Sequence, residues 1–386
     1  MVDTLQRILH PLLFMCFVVG LTFYPKKRLK IQVTCLNILY SLTIWFAYTC
    51  IFSYIYINFT REILFESIAM EIGVASNFLL SIISVIMSFY HQKRFEIGIK
   101  KLAAVDDTLE KLGTPKMYQK LHVKIKQIII GWIVYYLAIS VFDSIWWFNF
   151  YDSTWGLYLP YILNHCIHIN VLVDLLFIFF LWYVGTRFDK VNEHIRCLIM
   201  RRNYGLRCTW EPQHTLHNNY KKTLWTTMHL HLELCHLTRE INLIFTVQMT
   251  IEMASLLPYL TSLFYYLYWM IIQQYRGRIY TLFDWIGIFV RVLIFLIRLY
   301  AVNYICENVT QKANKVSKLF YQLTYIHQYA DVWKEIYYFI LQTMHHPLKF
   351  NGMGLFYFGY ECLRQFCMTV LMYLIIMVQF KVLIEY

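Results

Sequence analysis

The sequence predicts an all-α, polytopic membrane protein with seven transmembrane helices. Of its 386 residues, 59% are hydrophobic and only 15% are charged. Seven stretches also reach the roughly 20 apolar residues that a helix needs to cross a bilayer. A water-soluble globule of this length could not bury so much apolar surface. The composition therefore excludes a soluble enzyme, a disordered protein and a secreted disulfide scaffold.

Residues 1–35 are predicted to form a cytosolic N-terminus that carries a short apolar segment. The run Pro11–Phe23 is too short to span a bilayer. It ends in the basic stretch Tyr24–Lys27 rather than in the small residues of a signal-peptide cleavage site. We therefore expect a segment that lies on the membrane surface or is half inserted, and not a cleaved signal.

Seven longer apolar stretches follow along the chain. Several exceed 25 residues, which indicates helices that tilt or continue into water. Pro160 and Pro258 lie within two of them, where we expect kinks. The predicted spans are Leu36–Phe59, Ile63–Tyr90, Gln127–Phe148, Trp155–Phe188, Ile241–Tyr275, Phe283–Tyr304 and Leu355–Phe380.

Basic residues lie almost entirely on one side of these spans. The N-terminus and the links before spans 3, 5 and 7 hold 28 of the 35 Lys and Arg residues, and the opposite side holds 4. The positive-inside rule then predicts a cytosolic N-terminus and an extracellular C-terminus. Spans 1–6 cover 36–304 with long cytosolic loops at 91–126 and 189–240. Residues 305–354 lie in the cytosol, and 355–386 form the last span and a short outer tail.

The cytosolic links contain apolar residues at helical spacing. Leu102, Val105 and Leu109 follow span 2, and Val309 and Val316 follow span 6. An apolar stripe on a polar helix needs a partner to cover it. Either the long spans continue into the cytosol and pack together, or these helices form an intracellular anchor that holds several subunits.

Cysteine and histidine spacing indicates neither a disulfide framework nor a metal site. The 10 cysteines include no CxxC pair, as expected for reduced thiols. His165 and His168 are spaced like a ligand pair, but no third ligand lies nearby in the sequence, so we expect no metal and no cofactor. Asn58 begins a glycosylation sequon in the first outer loop, where it is either modified or an ordinary loop residue.

The most specific pattern lies in the last forty residues. The run His346–Phe356 contains the entry to the last span, Gly354-Leu355-Phe356. Span 7 then ends in Tyr373, five hydrophobic residues, Gln379 and Phe380. This pattern resembles the signature of the insect gustatory receptor family, although Met372 replaces the usual threonine. Three further segments are similar to the family, namely Pro11–Pro25, Glu240–Phe245 and Cys306–Asn314.

The resemblance implies a ligand-gated cation channel, a homo- or heterotetramer of related subunits in the plasma membrane of a sensory neuron dendrite. It implies that the last helix lines the pore, that Gln379 and Phe380 form the outer gate, and that Tyr373 packs behind it. Helical spacing is compatible with this, because one face of span 7 is polar at its ends and apolar between. The alternative is ordinary helix packing. The residues of that face are Gln365, Thr369, Met372, Ile376 and Gln379.

The outer halves of spans 3–6 are rich in aromatic residues and contain a few polar ones. Such a mixture is typical of a small-molecule pocket, though Trp and Tyr also form interfacial belts. Asp143 is either part of this pocket or simply paired with Arg291. The predicted pocket residues are Asp143, Trp146, Trp147, Tyr161, Asn164, His165, His168, Tyr265, Tyr266, Trp269 and Trp285.

Two other classes of protein fit the sequence less well than a channel does. A G-protein-coupled receptor is disfavoured by the inverted orientation and by the lack of Asp-Arg-Tyr after span 3. A membrane enzyme or transporter is disfavoured because no nucleophile elbow or phosphate-binding loop occurs. The partners expected are a small-molecule tastant and the lipid bilayer, with no nucleic acid. Few hydroxyl groups among many aromatic rings favour bitter compounds over sugars, and an odorant-receptor-like subunit stays open as an alternative.

Overall fold

A computed structural model describes residues 5–23, 31–55, 57, 68–151, 155–204, 220–324 and 333–385. Within them the chain forms ten helices and one two-stranded hairpin. The helices are α1 (Leu5–Val18), α2 (Ile31–Ile55), α3 (Ile68–Lys111), α4 (Tyr118–Tyr151), α5 (Trp155–Leu163), α6 (His165–Tyr204), α7 (Tyr220–Tyr275), α8 (Leu282–Thr324), α9 (Trp333–His345) and α10 (Tyr360–Glu385). The strands are β1 (Asn351–Gly352) and β2 (Phe356–Tyr357).

Seven of the described helices are long and apolar enough to cross a membrane, as predicted. They are α2, α3, α4, α6, α7, α8 and α10. We call the helix ends joined by Lys- and Arg-rich links the basic end of the molecule, and the opposite ends the short-loop end. The predicted fold class, an all-α polytopic protein, is confirmed.

Four spans continue far beyond a bilayer thickness at the basic end. Helices α3, α6, α7 and α8 contain 44, 40, 56 and 43 residues. Most of the predicted loop 91–126 is therefore helix, since α3 ends at Lys111 and α4 begins at Tyr118. The apolar stripes predicted there are buried, as at Leu102 and Val316. The long spans thus continue and pack together at the basic end.

The N-terminal apolar segment forms α1, which packs against α4, α3 and α6. One helix face is buried, because Leu5, Leu9 and Leu12 are each about 1% exposed or less. The chain that follows α1 is also buried. The Phe23 ring lies 5.0 Å from the Phe95 ring, which anchors this segment to α3.

The predicted fourth span is divided into two helices. Helix α5 ends at Leu163 and α6 begins at His165, three and five residues after Pro160. Proline lacks an N–H group and its ring crowds the preceding turn, so a kink here was expected. Helix α7, in contrast, is one helix from Tyr220 to Tyr275 with Pro258 inside it.

The seventh span begins later than predicted. We expected it to start at Leu355, but β1 and β2 form an antiparallel hairpin there and α10 begins at Tyr360. Met353 and Gly354 adopt positive φ values of 49° and 79°, which a helix cannot accommodate. The apolar composition of this segment therefore reflects a hairpin packed on α7 and not a helix.

The hairpin is fastened to α7 by polar side chains. The Thr246 hydroxyl donates a hydrogen bond to the Asn351 carbonyl at 2.9 Å and accepts one from the Met353 N–H at 3.0 Å. Asn242, one turn earlier, donates to the Asn351 side chain at 2.9 Å. These bonds hold the start of α10 at a fixed place beside α7.

Candidate ligand site and pore helix

One face of α8 presents charged residues at intervals of seven. Asp284, Arg291 and Arg298 lie on this face, because seven residues are close to two helical turns. The Arg291 guanidinium donates to the Asp143 carboxylate on α4 at 3.0 Å. Asn164, between α5 and α6, donates to the other oxygen of Asp143 at 2.6 Å. Asp143 is thus paired with Arg291, and the cluster joins α4, α8 and the α5–α6 break.

A tryptophan extends this polar cluster toward the short-loop end. The Trp146 indole N–H donates to Asp284 at 3.2 Å, and the Arg291 guanidinium lies 5.4 Å from the Trp146 ring centroid. Asp284 also completes a capping box with Thr281 at the start of α8, since its carboxylate accepts from the Thr281 N–H at 3.0 Å. We call Asp143, Trp146, Asn164, Asp284 and Arg291 the outer polar cluster.

His168 lies in an aromatic environment beside α4. Its ring centroid is 4.4 Å from that of Tyr136 and 5.5 Å from that of Tyr135. The Trp132 indole donates to the His168 backbone carbonyl at 3.2 Å. The imidazole is only 1% exposed, yet neither ring nitrogen has a hydrogen-bond partner. Two unused polar atoms in an apolar site are costly, so they mark a place where a ligand group could bind.

His165 and Trp147 lie in a different group, against α2. The His165 ring is 4.8 Å from the Tyr48 ring. Trp147 packs in a small apolar cluster with Phe52 and Leu159. The spacing of His165 and His168 thus directs them to different neighbours.

The remaining predicted pocket residues lie on α5, α7 and α8. Trp285 packs against Met270 and Val292, between α7 and α8. Tyr161 and Tyr266 are about a third exposed, as expected of tyrosines in an interfacial belt. Tyr265 and Trp269 are half-buried on α7, and the Arg276 guanidinium lies 6.0 Å from the Trp269 ring. The predicted pocket therefore divides into several groups around the outer polar cluster.

Four site residues were missed in the sequence, namely Tyr48, Trp132, Tyr135 and Tyr136. Trp132 and Tyr136 are four residues apart, so they lie on one face of span 3. This spacing could have indicated that both contact the polar residues of span 4. Nothing in the sequence indicated that Tyr48 on α2 contacts His165.

A second charged cluster lies deeper, between α6, α7 and α8. The Arg298 guanidinium donates to Asp174 at 2.8 Å and also to Glu252. All three side chains are buried. We call Asp174, Glu252 and Arg298 the inner charge cluster.

Helix α10 carries the predicted pore face. Gln365, Met372 and Gln379 are exposed, and Thr369 and Ile376 are half-buried. Tyr373 is 45% exposed in the single chain. Glu361 and Arg364, three residues apart, pair with each other at 2.6 Å. Phe380 lies in α10, but its side chain and the sequon residue Asn58 are outside the described residues.

Seven described helices that are long and apolar enough to cross a membrane define a multi-pass membrane protein. The model of the 7tm Chemosensory receptor family matches residues 9–384. The chain therefore belongs to this family, whose members are receptors and not enzymes. Comparison with curated protein sequences gave no match.

Solved structures of an insect receptor share the fold. The insect olfactory receptor OR5 from Machilis hrabei aligns with a TM-score of 0.68 at 14% identity, over 97% of this chain and 98% of that chain. The same receptor in complex with eugenol aligns with a TM-score of 0.63 at 15% identity, over the same shares. This likeness covers the whole chain, from α1 to α10.

Proposed function

We propose that this chain is a gustatory receptor, a subunit of a non-selective cation channel in the plasma membrane that small-molecule tastants open. Membership of the chemosensory receptor family supports a receptor for small molecules. The last-span pattern that ends in Gln379 and Phe380 supports the gustatory branch over the olfactory one. The exposed surface of α10 is the observation that supports a channel.

Helix α10 is apolar but almost uncovered. Only 6% of its most apolar window is buried, against 78% for α6. Lipid could cover such a helix, but lipid would not favour the exposed Gln365 and Gln379 on the same surface. A central water-filled pore explains both the uncovered surface of α10 and its exposed glutamines. Four copies of α10 would surround this pore, with polar groups at both ends and Met372 and Ile376 between them.

The proposed orientation is a cytosolic N-terminus and an extracellular C-terminus. It is supported by the 28 basic residues on one side of the spans. The outer polar cluster and its aromatic neighbours then open toward the outside, where tastants arrive. The long helices at the basic end form a cytosolic anchor between subunits.

The ligand site is proposed between α4, α5 and α8, from the outer polar cluster to His168. The Trp146 ring, already 5.4 Å from the Arg291 guanidinium, and the Tyr136 ring are of a type that suits planar or cationic compounds. The few hydroxyl groups favour bitter compounds over sugars, which need many hydrogen-bond partners. Ligand must bind the open state more tightly than the closed state to open the pore.

Expression of the chain alone in cells tests the function directly. Bitter compounds, sugars and odorants are applied while current and calcium are recorded with G-protein signalling blocked. We expect inward cation current with at least one bitter compound. Current only with volatile odorants would favour an olfactory receptor, and a response that needs G proteins would refute the channel.

The pore assignment is tested with Gln379→Ala and Phe380→Ala. Each is expected to change gating or single-channel conductance at normal surface expression. A matched control is Glu193→Gln, an exposed residue paired with Lys190 at the basic end. Unchanged gating and conductance in both α10 variants would refute the gate. A terminal tag on intact cells tests orientation, since an accessible N-terminus would contradict it.

A further inference from the structure

The inner charge cluster lies within the membrane-crossing part of the molecule. Arg298 is sixteen residues, about 24 Å, from the start of α8, and the hydrocarbon layer is about 30 Å thick. The side chains of Asp174, Glu252 and Arg298 are 4%, 2% and 8% exposed. Water therefore does little to stabilise their charges.

The charges of this cluster do not balance. One guanidinium faces two carboxyl groups, which leaves one negative charge in a medium where an uncompensated charge is expensive. Arg298 contacts Oδ2 of Asp174 and Oε1 of Glu252. The other two oxygens, Asp174 Oδ1 and Glu252 Oε2, are buried without a hydrogen-bond partner. With both carboxyl groups ionised, the cluster thus lacks one positive charge, and these two oxygen atoms can hold it.

Neighbouring neutral side chains are also unpartnered. Gln248 lies one turn from Glu252 on the same face of α7, is 2% exposed, and its Nε2 has no partner. Because an amide can flip, its oxygen can take that position. On α6, the buried His168, six residues before Asp174, also has two ring nitrogens without a partner. Buried amide and imidazole groups without partners mark a place where a ligand can bind.

We propose that the inner charge cluster binds one monovalent alkali cation, held by Asp174 Oδ1, Glu252 Oε2 and the Gln248 amide oxygen. Hard cations take oxygen ligands of these kinds. A single charge makes the cluster neutral, whereas a divalent ion would leave one uncompensated positive charge. The ion connects α6 to α7 across the centre of the helix bundle. This site does not depend on the proposed channel function.

The test measures thermal unfolding of the purified full-length receptor in detergent. NaCl or KCl is exchanged against N-methyl-D-glucamine chloride at constant ionic strength and pH. We expect the alkali cations to raise the melting temperature by about 2 °C or more, because they bind only the folded state. Asp174→Asn and Glu252→Gln should abolish this rise. In N-methyl-D-glucamine, both variants should melt at or above the wild type, since their cluster is already neutral.

Two further variants keep the test decisive. Glu361→Gln removes an exposed carboxylate on α10 and should leave the cation response intact. Gln248→Leu keeps the charge of the cluster but removes one oxygen ligand. The cation concentration that gives half of the rise in melting temperature should therefore increase several-fold. Equal melting temperatures in all salts would overturn the proposal, as would an unchanged response in Glu252→Gln. A melting temperature that follows pH alone would also overturn it, because a proton would then supply the missing charge.

Discussion

Helices α6 and α10 are both apolar spans of the same chain, but their surroundings differ completely. Helix α6 is the centre of the bundle, with 78% of its most apolar window buried. In α10 the corresponding share is 6%. Both helices are apolar enough to cross a membrane, so composition alone does not distinguish them.

The difference shows which contacts a single chain can supply. Phe177 and Phe188 of α6 are fully buried by neighbouring helices of the same chain. Met368, Leu371 and Met372 of α10 are more than half exposed. Changes in α6 should therefore affect folding, and changes in α10 should affect what the folded chain does.

The largest effect is expected for Phe177→Ala. The side chain is 0% exposed and its ring lies 5.4 Å from the Phe245 ring. Removing it leaves a cavity that costs about 3–5 kcal/mol of folding free energy. Thermal unfolding followed by size-exclusion chromatography should show a large loss of folded receptor. Met372→Ala in α10 is the control, and we expect it to cost under about 0.5 kcal/mol. Equal losses of folded receptor would mean that α6 does not contribute more to folding than α10.

A second pair contrasts buried and exposed arginines. Arg298→Ala leaves Asp174 and Glu252 buried without their guanidinium, at a cost of about 3–5 kcal/mol. Arg364→Ala on α10 removes an ion pair whose side chains are 72% and 63% exposed, and this should change stability little because water screens the pair. Surface expression of the two variants measures the difference. A stable Arg298→Ala receptor would mean that the inner charge cluster is already neutral without its arginine.

A smaller effect is expected at Gly359, which precedes α10. Its φ of 146° favours glycine, and an added Cβ would lie 2.5 Å from the Glu307 carboxylate. Gly359→Ala should cost about 1–3 kcal/mol and disturb how α10 meets α8. The matched control is Gly131→Ala in α4, where no heavy atom lies within 4 Å of the new Cβ. Ligand-evoked currents of both variants, compared at equal surface expression, would show whether this junction affects α10. Identical currents would argue against such an effect.

The smallest effect is expected for Thr246→Val. The change removes two solvent-exposed hydrogen bonds between α7 and the hairpin before α10, and because water can replace both, their combined worth is at most about 1 kcal/mol. Thermal stability should fall slightly, while ligand-evoked current should change more clearly if the hairpin positions α10. Thr226→Val, whose hydroxyl bonds only within α7, is the control. Equal changes in current from the two variants would mean that the hairpin does not position α10.

Much of the fold could be predicted because a bilayer imposes simple rules. Span length and apolar composition identified all seven spans, and helical spacing identified the buried stripe at Leu102, Val105 and Leu109. The hairpin before α10 was missed, since Leu355 and Phe356 are as apolar as the span that follows. Its cause is backbone conformation at Met353 and Gly354, which hydropathy does not record.

The candidate site was less predictable than the spans. Depth within a span indicated that Asp143 and Arg291 lie at a similar level, and the structure pairs them at 3.0 Å. Depth does not indicate rotation about the helix axis, so His165 and His168 were assigned to one pocket although they face different neighbours. Contacts such as Tyr48 with His165 depend on how helices far apart in sequence pack, which one sequence does not specify.

The length of α7 has a mechanical consequence. From Pro258 to Tyr220 the helix runs without a break for about 57 Å at 1.5 Å per residue. A rod of that length turns a small angle into a useful displacement: a tilt of about 4° at the proline moves the far end by about 4 Å. The hairpin is fastened to this rod at Thr246, close to the pivot, where the same tilt gives only about 1 Å. The same tilt therefore moves the basic end more than the attachment point of the hairpin, because both lie on one side of the proline at different distances from it.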